Sequence, residues 1–502
     1  MTMTPELPDL TSADEARPAA DAAPAGRSLL PVVVESGCCI GCGACAVTAP
    51  DTLAMRMTPY GTYQPVRRDG RALDAEELPP QLDQVCGFSP SAPNEDVLGL
   101  EQFGEGDRHE ALGRYESIWA GYVSDDEFRR QGSSGGVTSW VVLEALRRNE
   151  VDAVLHIRSE RDEDTGAYSS FTVSRTEEEV LGGRGSRYHV QNLEPVMRYV
   201  REHPGRYAVV GVPCFIKAVR LLGRTDPIIG ERVRLTVGLV CGHLKSTRFT
   251  DYLGWSVGIE PGRLADVDYR HKVEGRPANR YAIAARSVDG EEVAEGVEHI
   301  AMSDWGIGLF KPSACDYCDD VVAETADVTC GDAWLPPLMS DWRGANVVIT
   351  RSPLAGALID GGRAEGRLEL EPWTPEQAAA SQEAGLRHRR AGLAVRLAER
   401  ERLGTYAPPK RVAPDPDAVA TPLGRRMLLR EQIAVTSHLA FAEALEAGSL
   451  AVFHRRMRPL VNRYYGSRTR TLARRTASWV LYRVPVPIEK ALRRATAGRR
   501  FT

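Results

Sequence analysis

Lysine is nearly missing from this chain of 502 residues, with six lysines against 57 arginines. Together with abundant alanine, that ratio reflects a GC-rich genome before it reflects any function. Also missing is any apolar run of about 18 residues, which excludes a membrane-spanning helix. The first 27 residues, MTMTPELPDLTSADEARPAADAAPAGR, lack the basic start and apolar core of a secretory signal. They are expected to be disordered, and the protein to be cytoplasmic. No internal repeat of the kind that builds solenoids or propellers is present. What remains, 43% hydrophobic and 26% charged, is an ordinary globular composition, long enough for two or three domains. The net charge of −5 conceals an asymmetry: residues 453–502 carry 13 Arg, one Lys and one acidic residue, Glu489. Such a tail suits an anionic membrane surface, a nucleic acid or an acidic partner.

Cysteine is present and clustered: Cys38, Cys39, Cys42, Cys45, Cys86, Cys214, Cys241, Cys315, Cys318 and Cys330. Without an export signal, such clusters point to metal ligation or redox chemistry more than to disulfides. In GCCIGCGACAVTAP (37–50), Cys39, Cys42 and Cys45 repeat at two-residue gaps, the spacing of 4Fe–4S ligands. The fourth cysteine of that run belongs just before Pro50, where Ala49 stands. Gly41 and Gly43 permit a tight loop whose backbone N–H groups approach the sulfurs. Zinc sites also use closely spaced cysteines, but in paired Cys-x-x-Cys units rather than a triplet. Cys86, in VCGFSPSAP, is the spare thiol of the N-terminal region and the expected fourth ligand if that region closes on itself. Cys38 has the wrong spacing and is read as a bystander.

A second set is scattered. Cys214 in VGVPCF and Cys241 in GLVCGH each follow a predicted strand, where open α/β sheets gather their ligands. Cys315 and Cys318, in ACDYCDD, would supply two further corners of a second 4Fe–4S site. Cys330, in VTCGDAW, is an alternative ligand there, and some of these thiols serve equally well as small apolar core residues.

Residues 28–112, turn-rich and weakly periodic, are expected to form a small ferredoxin-like iron–sulfur domain closed by its cluster. From 113 to 370 the texture is α/β. Apolar runs at Asp152–Ile157, Arg206–Gly211, Leu235–Val240 and Asn346–Thr350 are read as buried strands. VTSWVVLEALRRN is read as a helix, and the alternation implies a largely parallel or mixed sheet. From 371 onward PEQAAASQEAGLRHRRAGLAVRLAERERLG and REQIAVTSHLAFAEALEAGSLAVFHRRM predict a helical extension, split by a proline-rich linker.

RRQGSSGGVTSW is a glycine–serine loop opening a helix. Its N–H groups and the positive helix end suit a cofactor phosphate, although it is neither a Rossmann fingerprint nor a P-loop and a tight structural turn explains the same residues. GGRGSRYHVQN (182–192) adds Arg184 and Arg187 as partners for phosphates or a flavin edge. Iron–sulfur clusters pass single electrons, so a flavin is the natural converter to hydride chemistry.

Taken in order, QGSSGGVTSWVVLEAL, GGRGSRYHVQN, VGVPCFIKAVRLL, GLVCGH and CDYCDDVVAETADVTCGDAW resemble the coenzyme F420 hydrogenase/dehydrogenase beta-subunit family over roughly residues 36–370. The resemblance implies an α/β (mixed α+β) flavin domain in which FAD mediates between 4Fe–4S clusters and a two-electron substrate. In several members that substrate is coenzyme F420; others are ferredoxin-linked reductases, including those acting on chlorophyll-type tetrapyrroles. Carried over by position, FAD would contact Ser133, Ser134, Gly135 and Gly136, then Ser186, Arg187, Tyr188, Gln191 and Asn192. The second cluster would take Cys214, Cys241, Cys315 and Cys318. Arg187 replaces the family's usual lysine, VGVPCF replaces GTPCQ, and nothing beyond 370 has a recognised counterpart.

The expected function is therefore that of an iron–sulfur flavoprotein oxidoreductase, served by ferredoxin or another redox protein. His189 and His243 are the candidate proton donors, with structural hydrogen bonding as the plainer role of each. Three alternatives stay open: a ferredoxin-dependent reductase that does not use F420, a relay subunit idle without its complex, and nucleic-acid binding through the basic tail.

Overall fold

The structure, a computed structural model, describes residues 27–466. The expectations for residues 1–26 and for the tail from 467 lie outside the described residues. The body of the protein is an eight-stranded mixed sheet: β1 (Ser117–Val123), β2 (Ala153–Ser159), β3 (Ser169–Ser174), β4 (Tyr207–Gly211), β5 (Val233–Leu239), β6 (Val328–Asp332), β7 (Asn346–Thr350) and β8 (Leu368–Pro372). Their spatial order is β8-β1-β7-β6-β5-β4-β2-β3. The middle strands β6, β5, β4 and β2 run parallel, and antiparallel strands close both sides.

The parallel strands are apolar on both faces because helices cover both, so they appear in sequence as runs rather than alternations. Two of the predicted strands start one residue late for an electrostatic reason. The carboxylate of Asp152 accepts hydrogen bonds from the backbone N–H and guanidinium of Arg206. Those two residues therefore clasp β2 and β4 together before either strand begins. Helix α1 (Val137–Arg147) opens at Gly136, in the left-handed region at φ 87°, and buries Val137, Trp140 and Val141. Helices α2 (Glu194–Glu202) and α3 (Pro213–Thr225) cover the opposite face, α3 opening with proline in its first turn.

The N-terminal region has a small core of its own, built on Leu30, Ala46, Leu53, Leu78 and Leu82. It does not stand apart. Leu193 N–H donates to the Cys42 carbonyl at 2.9 Å, and Thr247 N–H to that of Gly61 at 2.9 Å. At Gly43, φ is +85° and an added Cβ would lie 2.2 Å from Asn192 Oδ1. A three-stranded antiparallel sheet (Leu264–His271, Ala282–Ser287, Glu292–Gly296), which the sequence reading did not single out, shares a core with the C-terminal helices.

The extension packs back onto the body. The stretch read as amphipathic helix from 375 breaks into Pro375–Ser381, α4 (Glu383–Arg389) and α5 (Ala391–Leu403). The second break falls at Arg390, whose ψ of −88° is not helical. Helices α6 (Pro422–Glu446) and α7 (Leu450–Tyr465) form a hairpin that buries Ile433, Phe441, Phe453 and Met457. No helix among the described residues is long and apolar enough to cross a membrane.

Two expected outcomes follow from this packing. Gly43→Ala must both hold a positive φ and displace Asn192, so the variant should melt a few degrees below the wild type; an unshifted melt contradicts the docking. Burial holds His156, His189 and His438 down to about 4. Unfolded histidine titrates at about 6.5, so between the two values the unfolded chain binds more protons and stability falls as pH drops, by roughly 3 kcal/mol per residue at most. Urea midpoints measured from pH 7 to pH 4.5 should decline, and less steeply in His189→Asn; equal slopes for the two proteins would exclude His189 as a contributor.

Candidate metal centre

The first cysteine loop is shaped by glycines. Gly37, Gly41 and Gly43 all have positive φ, at 73°, 77° and 85°. Gly41 lies so close to the hairpin that a Cβ would meet the Tyr63 carbonyl oxygen at 2.5 Å. The loop turns Cys39 and Cys42 inward, and the short helix Ala44–Thr48 carries Cys45. Cys86 comes back to them from the end of the turn Leu82–Val85. These four thiols line one cavity of about 630 Å³, counted to its open mouth, and Cys214 and Cys318 line the same cavity.

The other set gathers at the carboxyl ends of parallel strands, the expected place for a ligand in such a sheet. Cys214 lies in the first turn of α3 after β4, Cys241 follows β5, and Cys315 and Cys318 sit in and just after the 3-10 turn Ser313–Tyr317. Cys214 is close enough to Cys318, Cys241 and Cys315 to feel their charge, and it also feels Cys42 of the first set. The two quartets are therefore neighbours. Cys330 belongs to neither: it lies within β6, in the core that α1 covers. Cys38 does not line the cavity and takes a hydrogen bond from Arg400 Nη1 at 3.6 Å.

Burial raises the thiols of both quartets, Cys86 and Cys315 to about 12 and Cys241 to about 11. Left to themselves they stay protonated, and only a strong local positive charge would make them thiolates. Among the described residues, no group of three or more His, Cys, Asp or Glu side chains is placed so as to hold a metal ion. A mononuclear zinc needs thiolates converging at about 2.3 Å from one point. Thiols at two-residue spacing around a cavity fit a cysteine-held cluster, and the buried cations around them fit an anionic one. Lys217 and Lys410 share the cavity wall with Glu95 and Asp320. Arg389, 1% exposed, leaves Nε and Nη1 without partners beside the second quartet.

The loops expected to meet a flavin divide in two. In Ser133–Gly136, Gly135 is pressed against the sheet, where a Cβ would meet Asn346 Oδ1 and the Gly121 carbonyl oxygen at 2.8 Å. Packing alone therefore requires that glycine. Lys272 braces the loop by donating to the carbonyls of Arg129 at 2.7 Å, Ser134 at 3.0 Å and Arg343 at 2.6 Å. Ser133 opens onto a small cavity that Arg270, Lys272, Arg280 and Tyr281 also line, a cationic setting suited to phosphate. In the second loop Arg187 donates to Ser159 Oγ at 2.6 Å, and Ser186 and Tyr188 stand beside it, Tyr188 against Trp305 and Tyr269. The remaining side chains turn inward. His189 bonds Ser169 and the Val190 carbonyl, Gln191 bonds Ser169, and Asn192 Oδ1 accepts from the Glu194 N–H. His243 is stacked on Trp305 at 4.5 Å with its Nε2 unpartnered, and burial among Lys245, Lys311 and Arg430 keeps it neutral.

The sequence reading passed over the residues that surround the thiols, although lysine scarcity marked them. All five lysines among the described residues are committed inside the protein: Lys217 to Glu95, Lys245 to the Leu309 carbonyl, Lys272 to its three carbonyls, Lys311 to Asp316 and Lys410 to Asp319.

Residues 118–198 match the family model for the N-term of the coenzyme F420 hydrogenase/dehydrogenase beta subunit, and residues 205–376 match the model for its C terminus. The F subunit of the F(420)H(2) dehydrogenase of Methanosarcina mazei is 22% identical over 346 residues, 68% of this chain and 86% of that protein. The beta subunit of the coenzyme F420 hydrogenase of Methanococcus voltae is 24% identical over 231 residues, 45% of this chain and 75% of that one. A chain of the F420-reducing [NiFe] hydrogenase complex from Methanosarcina barkeri aligns at 18% identity and a TM-score of 0.44, covering 58% of this chain and 95% of that chain. With both halves of the family pattern matched in order across the sheet that carries the cysteines, the chain belongs to the coenzyme F420 hydrogenase/dehydrogenase beta-subunit family.

Proposed function

We propose that this chain is an iron–sulfur flavoprotein oxidoreductase that exchanges hydride with coenzyme F420 or an organic substrate and receives or delivers electrons through ferredoxin or another redox protein. Cys39, Cys42, Cys45 and Cys86 of the domain 28–112 would hold one 4Fe–4S cluster. Cys214, Cys241, Cys315 and Cys318 of the domain 113–370 would hold a second. FAD would lie against Ser133–Gly136 and Ser186–Tyr188. When bound, the clusters store single electrons and the flavin converts them to pairs. The observation that carries the reading is that six of these thiols, Cys39, Cys42, Cys45 and Cys86 with Cys214 and Cys318, line one cavity although they come from segments remote in sequence.

The chain's own contributions follow from the geometry. The glycine turns of 37–43 set the direction of three thiols; Cys45, Cys241 and Cys315 are buried and the other five are partly so. Lys217 and Lys410 place positive charge in the wall between the quartets. Lys272 fixes the glycine–serine loop, so its N–H groups are oriented before any phosphate arrives. Of the two histidines, His189 has its ring nitrogens engaged, whereas His243 keeps Nε2 available.

A second reading, as a relay subunit without turnover of its own, is favoured by one finding: the relatives are named as subunits of dehydrogenases and hydrogenases. Reduction of F420 by the purified chain supports the enzyme; none until another subunit is added supports the relay.

Anaerobic purification should give a brown protein with about eight irons and one FAD per chain. Zinc in place of iron would end the cluster assignment. Cys86→Ser should lose about half of the iron while the flavin stays bound; full iron retention removes Cys86 from the ligand set.

A further inference from the structure

The matched C-terminal family pattern ends at residue 376, yet a residue beyond it reaches the second cysteine quartet. Arg389 closes α4, just where the chain kinks at Arg390 before α5. Its guanidinium is 1% exposed. Nη2 donates to the Cys241 carbonyl at 3.0 Å and to that of Gly242 at 3.1 Å, while Nε and Nη1 have no partner. None of its hydrogen bonds goes to a carboxylate. Other buried cations of this region are paired: Lys311 and Arg396 share Asp316, and Lys410 and Arg411 share Asp319. The acidic groups that bear most on Arg389 are the thiols of Cys318, Cys241 and Cys315, neutral while protonated and negative as metal ligands.

A buried cation held by two carbonyls and the Cys241 thiol, with no carboxylate bonded to it, is an expensive arrangement unless an anion completes it. A cluster bearing four thiolates is such an anion, and it becomes more negative by one charge when it accepts an electron. A fixed cation in a dry site favours that reduced form over the oxidised one. We propose that Arg389, contributed by the C-terminal extension, is the counter-charge of the second iron–sulfur cluster and raises that cluster's reduction potential relative to the first. Arg389 acts on potential as a positioning residue and takes no part in bond making. The inference rests on the two-cluster reading above and adds a role for a segment outside the family pattern.

The test is an EPR-monitored redox titration of the full, anaerobically purified chain, with iron content as control. In Arg389→Gln, one of the two cluster signals should become harder to reduce while the other holds still. A tenfold fall in its reduced-to-oxidised ratio at fixed potential corresponds to about 59 mV for one electron. Arg389→Lys, with the charge set farther back on a shorter stem, should move the same signal in the same direction by a smaller factor, so either variant that folds carries the test. Unmoved potentials, or equal shifts of both clusters, in a variant with full iron overturn the role of Arg389 and leave the clusters standing. A wild-type chain with only about four irons overturns the two-cluster reading, and this inference with it.

Discussion

Charge in a dry interior is the constraint on which this architecture depends. Around the cysteine quartets the protein buries Glu95, Lys217, Lys311, Asp316, Asp319, Glu324, Arg389 and Arg396, all under a tenth exposed. An ion stripped of water and left unpaired costs several kcal/mol, and all of these but Arg389 meet an oppositely charged side chain. The counterparts come from elsewhere in the chain. Glu95 of the N-terminal region meets Lys217 of α3 at 3.1 Å. Arg411, from the linker after α5, grips Glu324 through two hydrogen bonds, at 2.6 and 2.8 Å, and also bonds Asp319. Three segments that look separable in sequence are thereby committed to one another at the place where the thiols gather.

The same economy of position explains why the site lies where it does. Parallel strands deliver their following loops to one edge of the sheet, and Cys214 and Cys241 both sit in such loops. The first quartet cannot use this device, because its loop lies outside the sheet. It is docked there instead by backbone contacts at Cys42 and Gly61 and by the fit of Gly43 under Asn192. Asn192 thus links the first cysteine loop to the second expected flavin loop through packing. His189 and Gln191 likewise organise the interior behind that loop.

Much of the local structure was legible. The run NVVIT predicted β7 to the residue, and the helix of VTSWVVLEALRR begins where Gly136 allows its turn. Spacing singled out Cys39, Cys42 and Cys45 and the Cys315–Cys318 pair, whereas Cys86, Cys214 and Cys241 were expected from their places in the chain. Less was legible where meaning depends on contact. The glycine–serine loop gave no hint that Gly135 is demanded by Asn346 and Gly121. The helical pattern from 375 did not reveal the break at Arg390, because propensity says nothing about where a helix must turn to pack.

Sequence by itself determined the chemistry on offer: thiols at iron–sulfur spacing, glycines for a tight loop, apolar runs for a covered sheet, and few lysines. The spacings, turns and runs are properties of neighbouring residues, which short-range sterics and periodicity write directly into the chain, whereas the scarcity of lysine told nothing until its partners were seen. Tertiary structure alone decided the rest. Cys86 joins its triplet, Cys42 comes beside Cys214, and the cations of the extension face the second quartet, all across separations that no local rule encodes. The reason is that a buried charge or thiol is satisfied only by what surrounds it in space, and folding chooses that surrounding.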